Sequence, residues 1–224
     1  MPHAPAANST RVALLDHLAA EVAVLAADPF VRVGVDGVDG AGKTHFAEEL
    51  AVALRARGRT VVRASIDGFH QARPLRYARG RHSPEGFYRD SYDLAALRRE
   101  LLDPFGAGGD GVHRTRVYDV TTESAAPARR AQALPGTVLV VDGIFLHRRE
   151  LRDCWSWSVW LEVERAATLR RCVARDGSGS PDPAAAANRR YVQGQELYLD
   201  EADPQRHATH VVDNNDLTAP ALLR

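Results

Sequence analysis

In 224 residues the sequence has two cysteines, a single lysine and no apolar run of membrane-spanning length. Each scarcity excludes something. Cys154 and Cys172 are too few for the disulfide framework that staples small secreted domains. The opening MPHAPAANST lacks the charged-then-apolar plan of a signal peptide. Without a stretch of about 20 apolar residues, the expectation is a cytoplasmic chain with no membrane partner. Basic and acidic residues balance at 29 each, so the strong positive field of a nucleic-acid surface is missing. The expected partner is a small molecule, with homo-oligomerisation left open. The length suits one α/β domain over 1–224, with residues 1–10 as a flexible start and about 177–187 as a hinge or lid.

What is present centres on residues 31–44, VRVGVDGVDGAGKT. Val31, Val33 and Val35 alternate as a strand does, and Phe46, Leu50, Ala53 and Leu54 then recur at helical spacing until Gly58. Between them Gly37, Val38, Asp39, Gly40, Ala41, Gly42, Lys43 and Thr44 fit GxxxxGK[ST], the phosphate loop. A strand, this loop and a helix start aim successive backbone N–H groups at phosphate oxygens. Lys43 brings a point charge to the outer phosphates, and the Thr44 hydroxyl suits Mg2+. The other 28 basic residues are all arginine, so the one lysine stands where a compact ammonium is needed. A guanine-reading NKxD motif is excluded because no second lysine exists. The loop alone leaves a kinase or an acceptor-independent ATPase.

The order of segments predicts a parallel sheet. A helix carries Leu14, Leu18, Val22 and Leu25 on one face. A short strand at 61–62 leads to Asp67, placed at a strand's carboxyl end, where open α/β sheets bind ligands. Residues 71–90 read as a loop or flap with five arginines, Arg73, Arg76, Arg79, Arg81 and Arg89, and either a solvated surface or an anion-meeting flap fits them. A helix is expected over 91–103, a short strand at 117–120, and a linker over 106–111. The run 137–143 is continuously apolar and closed by Asp142, as in a buried parallel strand; an acid there suits a magnesium-associated carboxylate. A strand at 157–163, helices at 166–176 and 189–201, and a strand at 208–212 complete the reading. His207 and His210 have HxxH spacing, but with no further ligand nearby they are not read as a metal site.

Gly37 to Thr44, Asp67-Gly68-Phe69-His70, Tyr118-Asp119, Val141-Asp142-Gly143-Ile144 and Arg171-x-x-x-Arg175-Asp176 stand in the order found in the uridine kinase and phosphoribulokinase superfamily. The resemblance covers about residues 31–216 and is nearest to uridine kinases. A secondary likeness to bacterial pantothenate kinase runs through Asp67-Gly68-Phe69 and Asp90-Ser91-Tyr92-Asp93. It implies a three-layer α/β/α P-loop kinase fold with a central parallel sheet and a small arginine-bearing lid, with ATP and Mg2+ as cofactors. It further implies γ-phosphoryl transfer to a hydroxyl, foremost the 5′-hydroxyl of uridine or cytidine, with pantothenate or a sugar or sugar phosphate as alternatives. Asp67 would accept the hydroxyl proton, Thr44 and Asp142 would hold magnesium, and Arg171 and Arg175 would neutralise the transferring group beside Lys43. Phe69, His70, Tyr118 and Asp119 would meet the acceptor. Two positions depart from the uridine kinase pattern: His82 stands where an acid grips the ribose, and Glu123 stands near where a histidine meets the base.

Overall fold

The computed structural model describes residues 9–177, 180–182, 184–186 and 188–224. Expectations for residues 1–8 and for Ser178, Gly179, Pro183 and Ala187 of the lid lie outside the described residues. Five parallel strands form the sheet: β1 (Val31–Gly37), β2 (Val61–Ser65), β3 (Val138–Gly143), β4 (Trp157–Glu162) and β5 (His210–Asp213). They lie in the order β2-β3-β1-β4-β5, and an antiparallel β6 (Ala221–Leu222) closes the edge beside β5. The chain leaves β1 for β2 on one side and reaches β4 on the other, so a crevice opens at the carboxyl end of β1.

Helices cover both faces. On one, α1 (Ser9–Ala23) and α2 (Lys43–Ala56) pack Leu15, Leu18, Val22, Phe46, Leu50 and Leu54 against Val31, Val33, Val35, Val138, Val140 and Val159. On the other, α3 (Pro84–Asp90) and α5 (Arg189–Ala202), which follows α4 (Arg165–Asp176) in the chain, lie with Phe87, Tyr88, Phe145 and Tyr198 over Leu139, Val141 and Trp160. The continuous apolar run of β3 has this cause: its alternate side chains feed two cores. β1 alternates instead, yet it is buried on both sides. A Cβ at Gly34 would come within 2.9 Å of the Trp155 ring, and Asp36 is taken up by a polar network described below.

α2 ends as its sequence implies. Gly58 adopts φ 78 and its N–H bonds to Arg55 O, while Arg59 N–H reaches Leu54 O, the wrap that a left-handed residue permits at a helix end. Several boundaries differ from the sequence reading. α1 begins at Ser9, so Ser9 and Thr10 belong to a helix and not to a flexible start. The 91–103 helix is a turn of α-helix at Leu94–Leu97, a π segment at Arg98–Leu102 and a 3-10 turn at Asp103–Phe105. The Asp93 side chain caps it by accepting from Ala96 N, 2.8 Å, which leaves Tyr92 outside and bridged to His70. Residues 71–90 contain helices at Arg73–Arg76 and at α3. Val112–His113 pairs with Ala131–Gln132, and Tyr118–Asp119 with Ser124–Ala125. The last parallel strand runs His210–Asp213, where it registers with Val159 to Glu162. No helix among the described residues is long and apolar enough to cross a membrane.

Candidate active site

Register brings the strand ends to one row: Val35 lies opposite Asp142, and Asp142 opposite Ser65. Everything that follows these three positions meets at the same edge. From β1 the phosphate loop turns through Gly40 and Gly42, both left-handed at φ 76 and φ 89. Neither position has room for a side chain, since a Cβ would meet Thr168 O at 2.4 Å and Asn214 Nδ2 at 3.0 Å. The loop is clamped from behind. Asn214, fully buried after β5, donates to Ala41 O, 2.7 Å, and Arg171 reaches Gly40 O, Asn214 O and Asn215 O. Lys43 arches back over the loop and donates to Val38 O, 2.9 Å.

Beneath the loop, the Thr44 hydroxyl donates to Asp142 Oδ2 at 2.8 Å. The other carboxylate oxygen takes Arg63 Nη2 at 2.6 Å, and the same guanidinium donates to Val140 O at 2.7 Å. Thr44 and Asp142 thus present adjacent hard oxygen donors of the kind a magnesium ion takes together with phosphates and water. The residues fit that ion: with Arg63 on Oδ1, it is Oδ2, which the Thr44 hydroxyl touches, that would face it. No group of three or more His, Cys, Asp or Glu able to hold a metal by itself occurs among the described residues. His210 of the HxxH pair is bound to Glu21 Oε2, 2.6 Å, and Arg224 O, 2.8 Å.

Asp67 sits in the 3-10 turn Ile66–Phe69 that follows β2, with its N–H on Ser65 Oγ. Tyr92 donates its hydroxyl to Asp67 Oδ1, 3.0 Å. Burial above all, and then the charges of Asp67 and Asp39, push the Tyr92 phenol well above its usual value. It therefore remains a donor that orients the carboxylate. His70 packs its ring on Tyr92 at 4.6 Å and turns Nδ1 to Asp67 O, 2.9 Å. Asp39, Asp67, His70, Tyr92, Arg175 and Gln195 all line a cavity of about 680 Å³.

A second acid stands behind the loop. Asp36 is wholly buried in β1, where its Oδ1 accepts from Gly37 N at 2.8 Å. Its Oδ2 accepts from His147 N, 3.0 Å, interacts with His147 Nδ1, 2.7 Å, and accepts from the Tyr198 hydroxyl. His147 Nε2 lies 2.9 Å from Ser158 Oγ. Burial first, then Asp36, pushes Tyr198 well above the usual phenol value. A buried carboxylate with this many partners holds its surroundings in one arrangement. It joins the first residue of the phosphate loop to α5.

Not all the residues singled out from sequence gather at the cavity. Phe69 is fully buried in the core under the Asp67 turn and does not line it. Tyr118 donates to Glu123 Oε2, 3.0 Å, and Asp119 Oδ1 accepts from Thr121 N and Thr122 N, so the pair shapes a hairpin and neither lines the cavity. Glu123 is taken by Arg76 at 2.6 Å, which holds its carboxyl below the usual range. The Arg171 guanidinium rests on backbone carbonyls, while Arg175 lines the cavity. Of the five arginines over 71–90, Arg76, Arg79 and Arg89 pair with Glu123, Asp90 and Glu201. Sequence reasoning missed Arg63, Gln195 and the Asp36–His147–Tyr198 network, and quoted Tyr92 only within the Asp90-Ser91-Tyr92-Asp93 likeness without giving it a role. Only Asp36, an acid inside an apolar strand, carried a signal by itself.

No family model matches the chain, and no curated protein matches it. Solved structures do match its fold. A possible uridine kinase from Bacillus stearothermophilus shares 21% identity at a TM-score of 0.68, covering 88% of this chain and 96% of that one. D-glycerate 3-kinase from Cryptococcus neoformans shares 14% at 0.56, covering 87% and 90%. Phosphoribulokinase from Rhodobacter spheroides shares 17% at 0.54, covering 84% and 71%. The chain has the three-layer P-loop kinase fold common to these structures, with its mostly parallel sheet flanked by helices.

Proposed function

We propose that this protein transfers the γ-phosphoryl group of ATP to a hydroxyl of a small acceptor, with a nucleoside such as uridine or cytidine as the first candidate. One observation carries the reading. A carboxylate oriented by a buried phenol, Asp67 on Tyr92, opens onto the same cavity as the phosphate loop. A carboxylate there can orient the attacking hydroxyl of an acceptor or of water, and the acceptor dependence of turnover separates the two.

Backbone N–H groups of residues 37–44 and the Lys43 ammonium hold the phosphates, and Thr44 and Asp142 are the residues that would hold magnesium. Bound there, the ion neutralises charge on the phosphate oxygens. Asp67 orients the acceptor hydroxyl and takes its proton as the oxygen forms its bond to the γ-phosphorus. The bond to the bridging oxygen breaks, and ADP leaves with the electron pair. Arg175, on the cavity wall, is the lid arginine placed to meet the transferring charge. Arg171 acts by bracing Gly40 against the loop after β5.

Two features favour a neutral acceptor over pantothenate or a sugar phosphate. Most of the arginine flap is already paired with acids, and on the cavity wall Asp39, Asp67, Glu162 and Glu164 outnumber Arg165 and Arg175. Glu123, bound to Arg76 and Tyr118, is engaged in the hairpin and does not offer its carboxylate to a base. The test is product identification by mass spectrometry after incubating ATP with nucleosides, pantothenate, sugars and sugar phosphates. A phosphorylated nucleoside is expected. ATP hydrolysis of equal rate with and without every acceptor would overturn the kinase reading.

A further inference from the structure

We infer that the side chain of Asp39 reads a second hydroxyl of the acceptor and so selects an uncharged, polyhydroxylated substrate over a phosphorylated one. This rests on the kinase reading above. A phosphate loop works by presenting donors to an anion, so a carboxylate aimed at the phosphates would repel its own ligand. Here α5 draws it away. Gln195 Nε2 donates to Asp39 Oδ2 at 3.0 Å, and Asp39, Gln195 and Asp67 line the one cavity together. Among the described residues, only Gln195 donates a hydrogen bond to the Asp39 carboxylate.

A carboxylate has about four lone-pair sites, so one amide donor leaves most of this acceptor's capacity facing the cavity. Its surroundings make a further donor worth having. Burial foremost raises the Asp39 carboxyl, Lys43 opposes that rise, the Asp67 charge adds to it, and Arg175 and the Gln195 hydrogen bond oppose it again. A hydroxyl bonding to the ionised form offsets the burial. A phosphate group beside both carboxylates would instead add like charge.

The experiment compares neutral acceptors (uridine, cytidine, fructose, glycerol) with their monophosphates, using wild type, Asp39→Ala and Gln195→Leu, with the KM for ATP followed in parallel. The best neutral acceptor is then set against its monodeoxy analogues. Wild type is expected to favour the neutral acceptor at least about tenfold in kcat/KM, and to lose roughly 10–100-fold on removal of one hydroxyl. In Asp39→Ala that loss shrinks to about threefold or less. Gln195→Leu, which leaves the loop sequence intact, raises the acceptor KM several-fold with the KM for ATP unchanged. Equal deletion losses in wild type and Asp39→Ala, a preference for the monophosphate, or loss of ATP binding in Asp39→Ala would each overturn the assignment while leaving the kinase reading in place. Absence of any acceptor-dependent product from wild type would remove both.

Discussion

Single residues divide into those that bear on the reacting atoms and those that hold them. Tyr92 belongs to the second kind, since its hydroxyl touches Asp67 and its ring packs on His70. Tyr92→Phe keeps the packing and deletes one hydrogen bond to a charged group, so transfer is expected to slow roughly 10-fold. A stopped-flow measurement of product formation at saturating ATP checks this; an unchanged rate would mean that Asp67 is oriented without the phenol. Asp39 makes a stability prediction of definite sign. Because its native carboxyl is raised, the native state binds more protons than the unfolded chain between the two values, and stability falls as pH rises through that window. Asp39→Asn removes the loss. Its Tm is expected above that of wild type at pH 7, with the gap closing as the pH is lowered through the carboxylate range, as followed by calorimetry. The sequence named Asp39 as part of the loop and Asp67 as a strand-end acid. Tyr92 entered only within the Asp90-Ser91-Tyr92-Asp93 likeness; its bond to Asp67, 25 positions away, has no periodic signal. Arg63 was equally hidden, since its role exists only once β2 and β3 are paired.

At the scale of elements, strand, loop and helix around residues 31–56 were legible because local signals agree there: alternation, glycines at left-handed positions, then helical spacing. The 91–105 region was not. An Asp cap, a π segment and a 3-10 turn replace one expected helix, because the Asp93 side chain starts the helix later than the apolar spacing suggests. The helices that brace the phosphate loop also depend on long-range contacts. Arg11 of α1 is buried, with Nε on Glu49 Oε2 at 2.8 Å and Nη1 on Leu217 O at 3.0 Å. Arg11→Ala leaves these acceptors unmatched and should cost about 3 kcal/mol. That corresponds to a fall in Tm of roughly 6–12 °C, measurable by calorimetry. Tyr198→Phe removes the α5 donor to buried Asp36 and should cost about 1–3 kcal/mol. Denaturant titration reads it, and a change below about 0.5 kcal/mol would show that His147 and the Gly37 N–H satisfy the carboxylate without the phenol.

Across the whole molecule, the sheet order places every group with a proposed chemical role at one edge. The strand ends of β1, β2 and β3 lie in one row, and the loop after β5 clamps the phosphate loop. Order of motifs along the chain foretold this edge, because parallel strands put their carboxyl ends together. It did not foretell the acceptor side, where Tyr118, Asp119 and Glu123 turn out to serve a hairpin, and Gln195, unremarked in sequence, turns a loop carboxylate into the cavity. The role proposed for this edge is to join a nucleotide to an acceptor through Asp67. Its most direct test is ADP release by wild type and Asp67→Asn, with and without the acceptor identified from the product, alongside nucleotide affinity by calorimetry. Release is expected to require the acceptor and to fall roughly 10²–10⁴-fold in Asp67→Asn while nucleotide affinity stays within about threefold. Release independent of acceptor, or a fall of less than about threefold in the variant, would contradict it.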